Sequence, residues 1–169
     1  MEMSVPIPFD RIEVGSLLPV LDKNTVTSVH LMRWCAAVEN FHRIHFDHPF
    51  ATGHDGLPGV LINGSFMQQV IMQLLKDGFG RESWTWRMKF RTLKMCLVGD
   101  SLRGTGEVMS KQSVGDLGFV TTRVSILNRH DDVCAVGHAV NVLPSAAGAR
   151  VPYPFVPSKD QAAIRLPTQ

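Results

Sequence analysis

Apolar residues recur at helical spacing in two segments of the first half of the chain. Over residues 31–41 they fall three or four positions apart, which predicts a helix that begins near residue 27. The pattern is strongest over residues 65–75, where a wide apolar stripe predicts a largely buried helix. Because glycine favours helix C-termini, this second helix should end at Gly78 or Gly80.

From residue 84 onward the apolar period shortens to two, which is typical of strands with one buried face. Four strands separated by turns are predicted there, at residues 84–91, 102–109, 119–127 and 133–143. One or two short strands precede the first helix, within residues 10–26, and the glycines and prolines of residues 44–59 predict a loop. One buried helix followed by consecutive strands predicts an α+β fold, with the helix wrapped by an antiparallel sheet.

The chain length of 169 residues is typical of one domain, which we expect to span residues 10–143. Residues 1–9 contain two prolines and no periodicity, so they predict an N-terminal arm. Residues 144–169 contain five prolines among small residues, and they predict a tail that runs over the surface or over a partner.

Composition narrows the classes of partner. The chain is 44% hydrophobic and 19% charged, with a formal net charge of +2 and no dense run of lysine or arginine, so we expect no nucleic-acid partner. No apolar run reaches about 18 residues and no signal peptide is visible, which predicts no membrane partner and a cytoplasmic location. Basic residues are nevertheless frequent between positions 81 and 111, which suits either a phosphate-bearing ligand or a solvated sheet face.

The chain has three cysteines, and all of them lie among apolar neighbours. Their wide spacing and odd number predict buried free thiols in a reducing compartment: Cys35, Cys96 and Cys134.

Candidate chemistry is concentrated in residues 42–64. Four histidines fall within thirteen residues there: His42, His45, His48 and His54. Imidazole titrates near neutral pH and serves as a general acid or base. A Gly/Pro turn and an apolar run follow, and then Gly64 opens the second helix, whose N-terminus offers unpaired N–H groups to a polarised oxygen. The histidine spacing also admits a metal site, but no nearby cysteine joins the cluster, and we expect no metal.

Three segments resemble the MaoC-like family of (R)-specific enoyl-CoA hydratases and dehydratases, which have the hotdog fold. Residues 40–51, read as Asn-Phe-His-Arg-Ile-His-Phe-Asp with a following Phe-Ala, lie where the family has its Asp-x-Asn-Pro-x-His motif. Residues 56–64 are similar to the family's Gly-x-Pro-Gly segment before the central helix. Residues 88–108 are similar to its strand, Gly-Asp turn and strand.

The resemblance implies a catalytic role for His45, which matches the family's histidine directly, and for the backbone amide of Gly64, which would polarise the thioester carbonyl. The family's aspartate falls on Asn40, and its motif asparagine falls on His42. A subgroup similar to 3-hydroxyacyl-thioester dehydratases and mesaconyl-CoA hydratases carries a comparable Asn-x-His-Arg-Ile-His segment. Asn40 could then position water, while His42 could share the proton work.

Neighbouring residues are expected to contact the substrate: Asn63, Asp47, Gly59 and Ser65. Asn63 could instead cap the helix, and Asp47 could cap a turn or pair with Arg43.

The resemblance implies a hydro-lyase that acts on a thioester of coenzyme A or acyl carrier protein, with no separate cofactor. It also implies a homodimer or higher oligomer, or a pair with a second hotdog subunit. Two alternatives stay open. Asn40 and Asn63 favour a half-site subunit that needs a homologous partner, and the fold also admits a thioesterase, although Asp77 and the glutamines of the central helix are poor candidates for its base.

Overall fold

The computed structural model describes residues 7–167, and its centre is a five-stranded antiparallel sheet. The strands are β1 (Leu21–Thr25), β2 (Trp84–Thr92), β3 (Ser101–Val114), β4 (Leu117–Leu127) and β5 (Val133–Pro144). Their order across the sheet is β1-β3-β4-β5-β2, so β1 and β2 form the two edges. The α+β prediction is confirmed. β3 extends past its predicted limit because residues 109–114 are mostly exposed in the hairpin with β4 and lack an apolar alternation.

The central helix α2 (Gly64–Phe79) packs against one face of this sheet, which we call the inner face. Its apolar stripe is buried against strand residues, with Leu74 and Leu75 fully buried. Gly80 follows with a φ of 87° and ends the helix, as predicted. Gly78 lies within the helix, where a Cβ would stand 3.0 Å from the side chain of Leu18.

The first helix, α1 (Ser28–Ala37), is shorter than predicted. A capping box begins it, in which the side chains of Thr27 and His30 exchange hydrogen bonds with each other's backbone N–H. It ends before Phe41 because Glu39 adopts a φ of 53°, which a right-handed helix cannot contain.

Residues 44–59 are more regular than the predicted loop. Arg43–His45 forms a 3₁₀ turn and Phe50–His54 forms a single wide helical turn of the π type. The carboxylate of Asp47 accepts the N–H of Phe50 at 3.1 Å, and this bond supports the second turn. The glycines and prolines therefore separate two helical turns.

A second apolar cluster covers the opposite, outer face of the sheet. Trp86 and Phe119 on the strands pack there against Val151, Phe155 and Ile164, which belong to the C-terminal tail. The tail also contains the short helix α3 (Lys159–Ala162). The predicted tail thus lies over the sheet of its own chain.

The N-terminal arm is described from residue 7. Residues 1–6 of the predicted arm, like residues 168–169 of the tail, lie outside the described part of the chain. Ile7 and Phe9 pack against the main core. Within residues 7–167, the helices are all too short or too polar to cross a bilayer.

Candidate active site

Two backbone segments hold His45 in place. The amide of Leu61 donates to the carbonyl of Ile44 at 2.9 Å, and the Nδ1 atom of His45 lies 2.8 Å from the carbonyl oxygen of Leu61. A carbonyl can only accept, so Nδ1 carries the proton in this bond. In the neutral ring the lone pair is therefore on Nε2, which makes no hydrogen bond to any residue in the range 7–167. His45 is 8% exposed, and its hydrogen bond to Leu61 holds the ring with Nε2 available as an acceptor.

His45 and Gly64 line the same cavity, which has a volume of about 290 Å³ and which we call the His45 pocket. Gly64 is the first residue of α2, so its N–H has no partner within the helix. No other acceptor in the described part of the chain takes this N–H. The pocket thus contains an imidazole base and an unpaired donor at the positive end of a helix dipole.

The opposite wall of the His45 pocket consists of residues 92–96, which the sequence analysis did not identify. This segment reaches the pocket because residues 60–62 and 96–98 run side by side, with hydrogen bonds from Ile62 N to Cys96 O (2.8 Å) and from Val98 N to Val60 O (2.9 Å). Leu93 is 52% exposed beside the pocket. The loss of strand alternation after residue 92 marks the end of β2 in the sequence, but it does not place the segment beside the pocket.

Lys94 and Cys96 are the other titratable groups of this wall. The ammonium of Lys94 pairs with the carboxylate of Asp132 at 2.6 Å, which raises the pKa of the lysine and lowers that of the aspartate. Burial raises the pKa of the Cys96 thiol well above its usual range, so the sulfur stays protonated. The three cysteines are buried free thiols, as predicted.

Asn40 and His42 precede the pocket in the chain and do not line it. The side-chain oxygen of Asn40 accepts the N–H of His42 at 3.3 Å, and Nδ1 of His42 accepts the N–H of Ile44 at 3.4 Å. The rings of His42 and His45 have their centres 6.2 Å apart. The side chains of Asn40 and His42, both predicted to be catalytic, thus accept hydrogen bonds from nearby backbone N–H groups and do not line the pocket.

The carboxylate of Asp47 forms an ion pair with Arg43. Its oxygen lies 2.6 Å from the guanidinium of Arg43, and this hydrogen bond lowers the pKa of Asp47. Phe50 lies beneath the same guanidinium, at 4.3 Å from its ring centre, and stacks on the ring of His54 at 4.5 Å. Among the described residues, no three His, Cys, Asp or Glu side chains converge as metal ligands would.

The remaining predicted residues border the start of α2. Asn63 is 1% exposed, and its amide lies 3.6 Å from the sulfur of Cys35 instead of capping the helix through its side chain. The hydroxyl of Ser65 accepts the indole N–H of Trp34 at 2.9 Å. Gly59 is buried, and a Cβ there would contact Leu97 at 3.5 Å. None of the three lines the His45 pocket.

Comparison with known families gives a match over residues 18–98, to hydroxyacyl-thioester dehydratase type 2. This range contains both His45 and Gly64. A curated relative, mesaconyl-C(4)-CoA hydratase of Chloroflexus aurantiacus, is 38% identical over 69 residues. The aligned segment covers 38% of this chain and 25% of the relative, so the chain matches about a quarter of that protein's length.

Solved structures share the fold. The (R)-hydratase of A. caviae, involved in PHA biosynthesis, has a TM-score of 0.71 at 22% identity and covers 79% of this chain and 98% of its own. The MaoC-like dehydratase of Rhodospirillum rubrum has a TM-score of 0.71 at 17% identity, over 82% of this chain and 97% of its own. The hotdog prediction is confirmed. The chain thus has the hotdog fold, and over residues 18–98 it is similar to the hydroxyacyl-thioester dehydratases.

Proposed function

We propose that this chain adds water to a trans-2-enoyl thioester, or removes it from the corresponding 3-hydroxyacyl thioester. One observation carries the proposal: a buried imidazole with a free Nε2 shares a pocket with the unpaired amide of Gly64. The family match supports a hydro-lyase acting on thioesters, since its members are described as hydroxyacyl-thioester dehydratases.

In the hydration direction, the thioester oxygen accepts the N–H of Gly64, and the dipole of α2 strengthens this bond. Electron withdrawal toward that oxygen makes C3 of the enoyl group electrophilic. Nε2 of His45 takes a proton from water as the oxygen of that water bonds to C3, and the negative charge develops on the thioester oxygen. The imidazolium then returns its proton to C2, which restores the neutral base. Dehydration is the reverse sequence.

The substrate is proposed to be a thioester of coenzyme A or acyl carrier protein, with no separate cofactor. The name of the curated relative favours coenzyme A. Asn40 and His42 could enter the cycle only by leaving their present backbone partners, so we assign them to the support of the loop before His45.

A half-site subunit is the second candidate. It is favoured because no carboxylate lines the His45 pocket and because the aligned segment covers only 25% of the curated relative. In that case a second hotdog subunit would complete the catalytic group. The expected homodimer is the simpler assembly.

The test is turnover of crotonyl-CoA by the purified chain and by His45→Asn. The asparagine amide can still donate to Leu61 O, so the variant removes the base and keeps the anchor. We expect loss of enoyl absorbance without release of free thiol, and a fall of about 10²–10⁴-fold in the variant. Free thiol would indicate a thioesterase instead. Activity only after addition of a second hotdog subunit would favour the half-site alternative, and equal turnover by the variant would remove His45 from its role.

A further inference from the structure

The start of α2 lacks the side-chain cap that both other α-helices of the described chain possess. Capping boxes begin α1 at Thr27 and α3 at Ser158. The N-cap residue of α2 is Asn63, which belongs to the residue types that cap helices best, and its backbone is extended as in an N-cap. Its side chain nevertheless bonds to none of the helix N–H groups. The residue type therefore predicts a cap that the structure does not form.

A thiol of α1 binds the Asn63 side chain instead. The sulfur of Cys35 lies 3.6 Å from the amide nitrogen of Asn63 and 3.8 Å from its amide oxygen. Both residues are buried, with Asn63 at 1% and Cys35 at 3% exposure. A thiol is a weak donor and a weak acceptor, so one sulfur can serve both ends of an amide. Within residues 7–167 this thiol is the one hydrogen-bond partner of the Asn63 side chain.

The residue before Cys35 fixes the first turn of α2 by separate contacts. The indole N–H of Trp34 donates to the hydroxyl of Ser65 at 2.9 Å. The indole ring also meets Phe66 edge to face, with the ring centres 5.8 Å apart. Two consecutive residues of α1 thus contact the residues on either side of Gly64. Because the Trp34 contacts do not depend on the thiol, the helix start stays attached to α1 when Cys35 is replaced.

The first two N–H groups of α2 are open as a result. Among residues 7–167 no acceptor takes the N–H of Gly64 or of Ser65, whereas the N–H of Phe66 donates to the backbone carbonyl of Asn63 at 3.1 Å. An N-cap side chain accepts from the second or third N–H, which here would place the Asn63 oxygen on Ser65. That oxygen would compete with any other oxygen that approaches Gly64, and it would offset the positive end of the helix dipole.

We propose that Cys35 is a positioning residue, which binds the Asn63 side chain and keeps the start of α2 uncapped, so that the N–H of Gly64 stays available to the thioester oxygen. The inference rests on the proposed function, because it concerns the amide that this function assigns to the thioester carbonyl. It also accounts for a buried amide whose partner is a weak one, where a cap would contribute more to stability.

The first experiment measures kcat and KM with crotonyl-CoA after Cys35→Ala. Without the thiol, the Asn63 oxygen can accept the N–H of Ser65, and this bond must break before the thioester oxygen becomes charged. An N-cap bond of ordinary strength would lower kcat about five- to thirtyfold. KM should change by less than about twofold, because the cap opposes the charge that develops in the transition state. Wild-type kcat in Cys35→Ala overturns the proposal.

Two further substitutions at Cys35 separate hydrogen bonding from packing. Cys35→Ser is the matched control, since its hydroxyl also serves both ends of an amide, and its kcat should stay within about threefold of the wild type. Cys35→Val fills the apolar volume but cannot hydrogen-bond, so it should lose as much kcat as Cys35→Ala. It also covers the case in which the cavity left by alanine unfolds the chain. A valine variant as active as the serine variant overturns the role of the thiol.

A double variant tests whether the Asn63 side chain is the competitor. Cys35→Ala/Asn63→Ala removes the thiol together with the side chain that it holds, and kcat should recover to within about threefold of the wild type. Its urea midpoint should be lower than that of Cys35→Ala, since a second buried side chain is truncated. Activity and stability would then change in opposite directions, which a merely structural role of Cys35 does not produce. A double variant no more active than Cys35→Ala overturns the proposal.

Hydrogen exchange separates failure of this inference from failure of the proposed function. The exchange rate of the Ser65 amide is measured by NMR, without substrate, for the wild type, Cys35→Val and Cys35→Ser. We expect exchange to be at least about fivefold slower in the valine variant, because a cap protects the amide, and unchanged in the serine variant. This result supports the positioning role even if the chain hydrates no thioester. Equal exchange in all three proteins overturns it, whatever the turnover.

Discussion

Replacing Gly64 with proline would remove the proposed oxyanion donor while leaving the helix in place. Gly64 is the first residue of α2, the position at which proline is favoured because its missing N–H has no helical partner. Asn63 already has a φ of −62° and a ψ of 140°, the extended conformation required before proline. A Cβ at Gly64 would meet nothing within 4 Å. The substitution therefore changes one hydrogen-bond donor and little else.

The expected cost is the loss of one donor to a developing oxyanion, about 2.7–4 kcal/mol, or a fall of about 10²–10³-fold in kcat. Gly64→Ala is the matched control, since it keeps the N–H and places its methyl group in open space. We expect its kcat to fall by less than about tenfold. Its free energy of unfolding should rise by about 0.4–1 kcal/mol, because alanine restricts the unfolded chain more than glycine does.

The assay is the disappearance of enoyl absorbance under saturating crotonyl-CoA, with urea unfolding of each variant measured in parallel. Proline and alanine variants that fold equally well and differ by about two orders of magnitude in kcat would support the amide as the oxyanion donor. Equal kcat values for the two folded variants would refute it. The polarising group would then have to be sought among the other pocket-lining residues.

Three further outcomes concern stability and are read from urea unfolding. Gly137→Ala should lower the free energy of unfolding by about 3 kcal/mol, because the added Cβ would clash with the carbonyl of Lys89 and separate β5 from β2. An unchanged urea midpoint would contradict this close packing. Asp132 has a lowered pKa, chiefly through its bond to Lys94, so its contribution is present above about pH 4 and is lost as the pH falls through the lowered pKa. Asp132→Asn should flatten that acid decline, and an unaltered pH profile would argue against the pair. Phe155→Ala should cost about 2 kcal/mol by removing two ring contacts on the outer face, and a tail that contributes nothing would show no loss.

The apolar periodicity of the sequence predicted those helices and strands that bury one face against the core. The stripe of α2 and the alternation in the first part of β3 are both consequences of a single buried side, and the sequence records both. Strands β4 and β5 are buried on both faces because the tail covers the outer one. The sequence does not record where α1 ends, since Glu39 takes a left-handed φ although it is not glycine. The sequence pattern also underestimates the length of β3, because the last residues of this strand form an exposed hairpin with β4 and lack an apolar pattern.

The candidate site divides in the same way. His45 and Gly64 could be predicted because each belongs to a motif, and the structure brings both into one cavity. Residues 92–96 could not be predicted, since they reach the pocket only through long-range backbone bonds to residues 60–62. The histidines at positions 48 and 54 are the opposite case, in which the sequence drew attention to residues that the pocket does not use. Their spacing was conspicuous, yet neither lines the pocket.

The pair of hydrogen bonds that Leu61 makes to residues 44 and 45 has a consequence for which parts of this sequence are free to vary. His45 is bound to Leu61, and only two residues separate Leu61 from Gly64, so the imidazole and the N–H of Gly64 are held close to each other. Residues 46–60 form the loop between these bonded residues and take no part in the two hydrogen bonds. Their length and composition can therefore change while Nε2 of His45 and the N–H of Gly64 keep their spacing, so this loop can vary without disturbing the proposed chemistry.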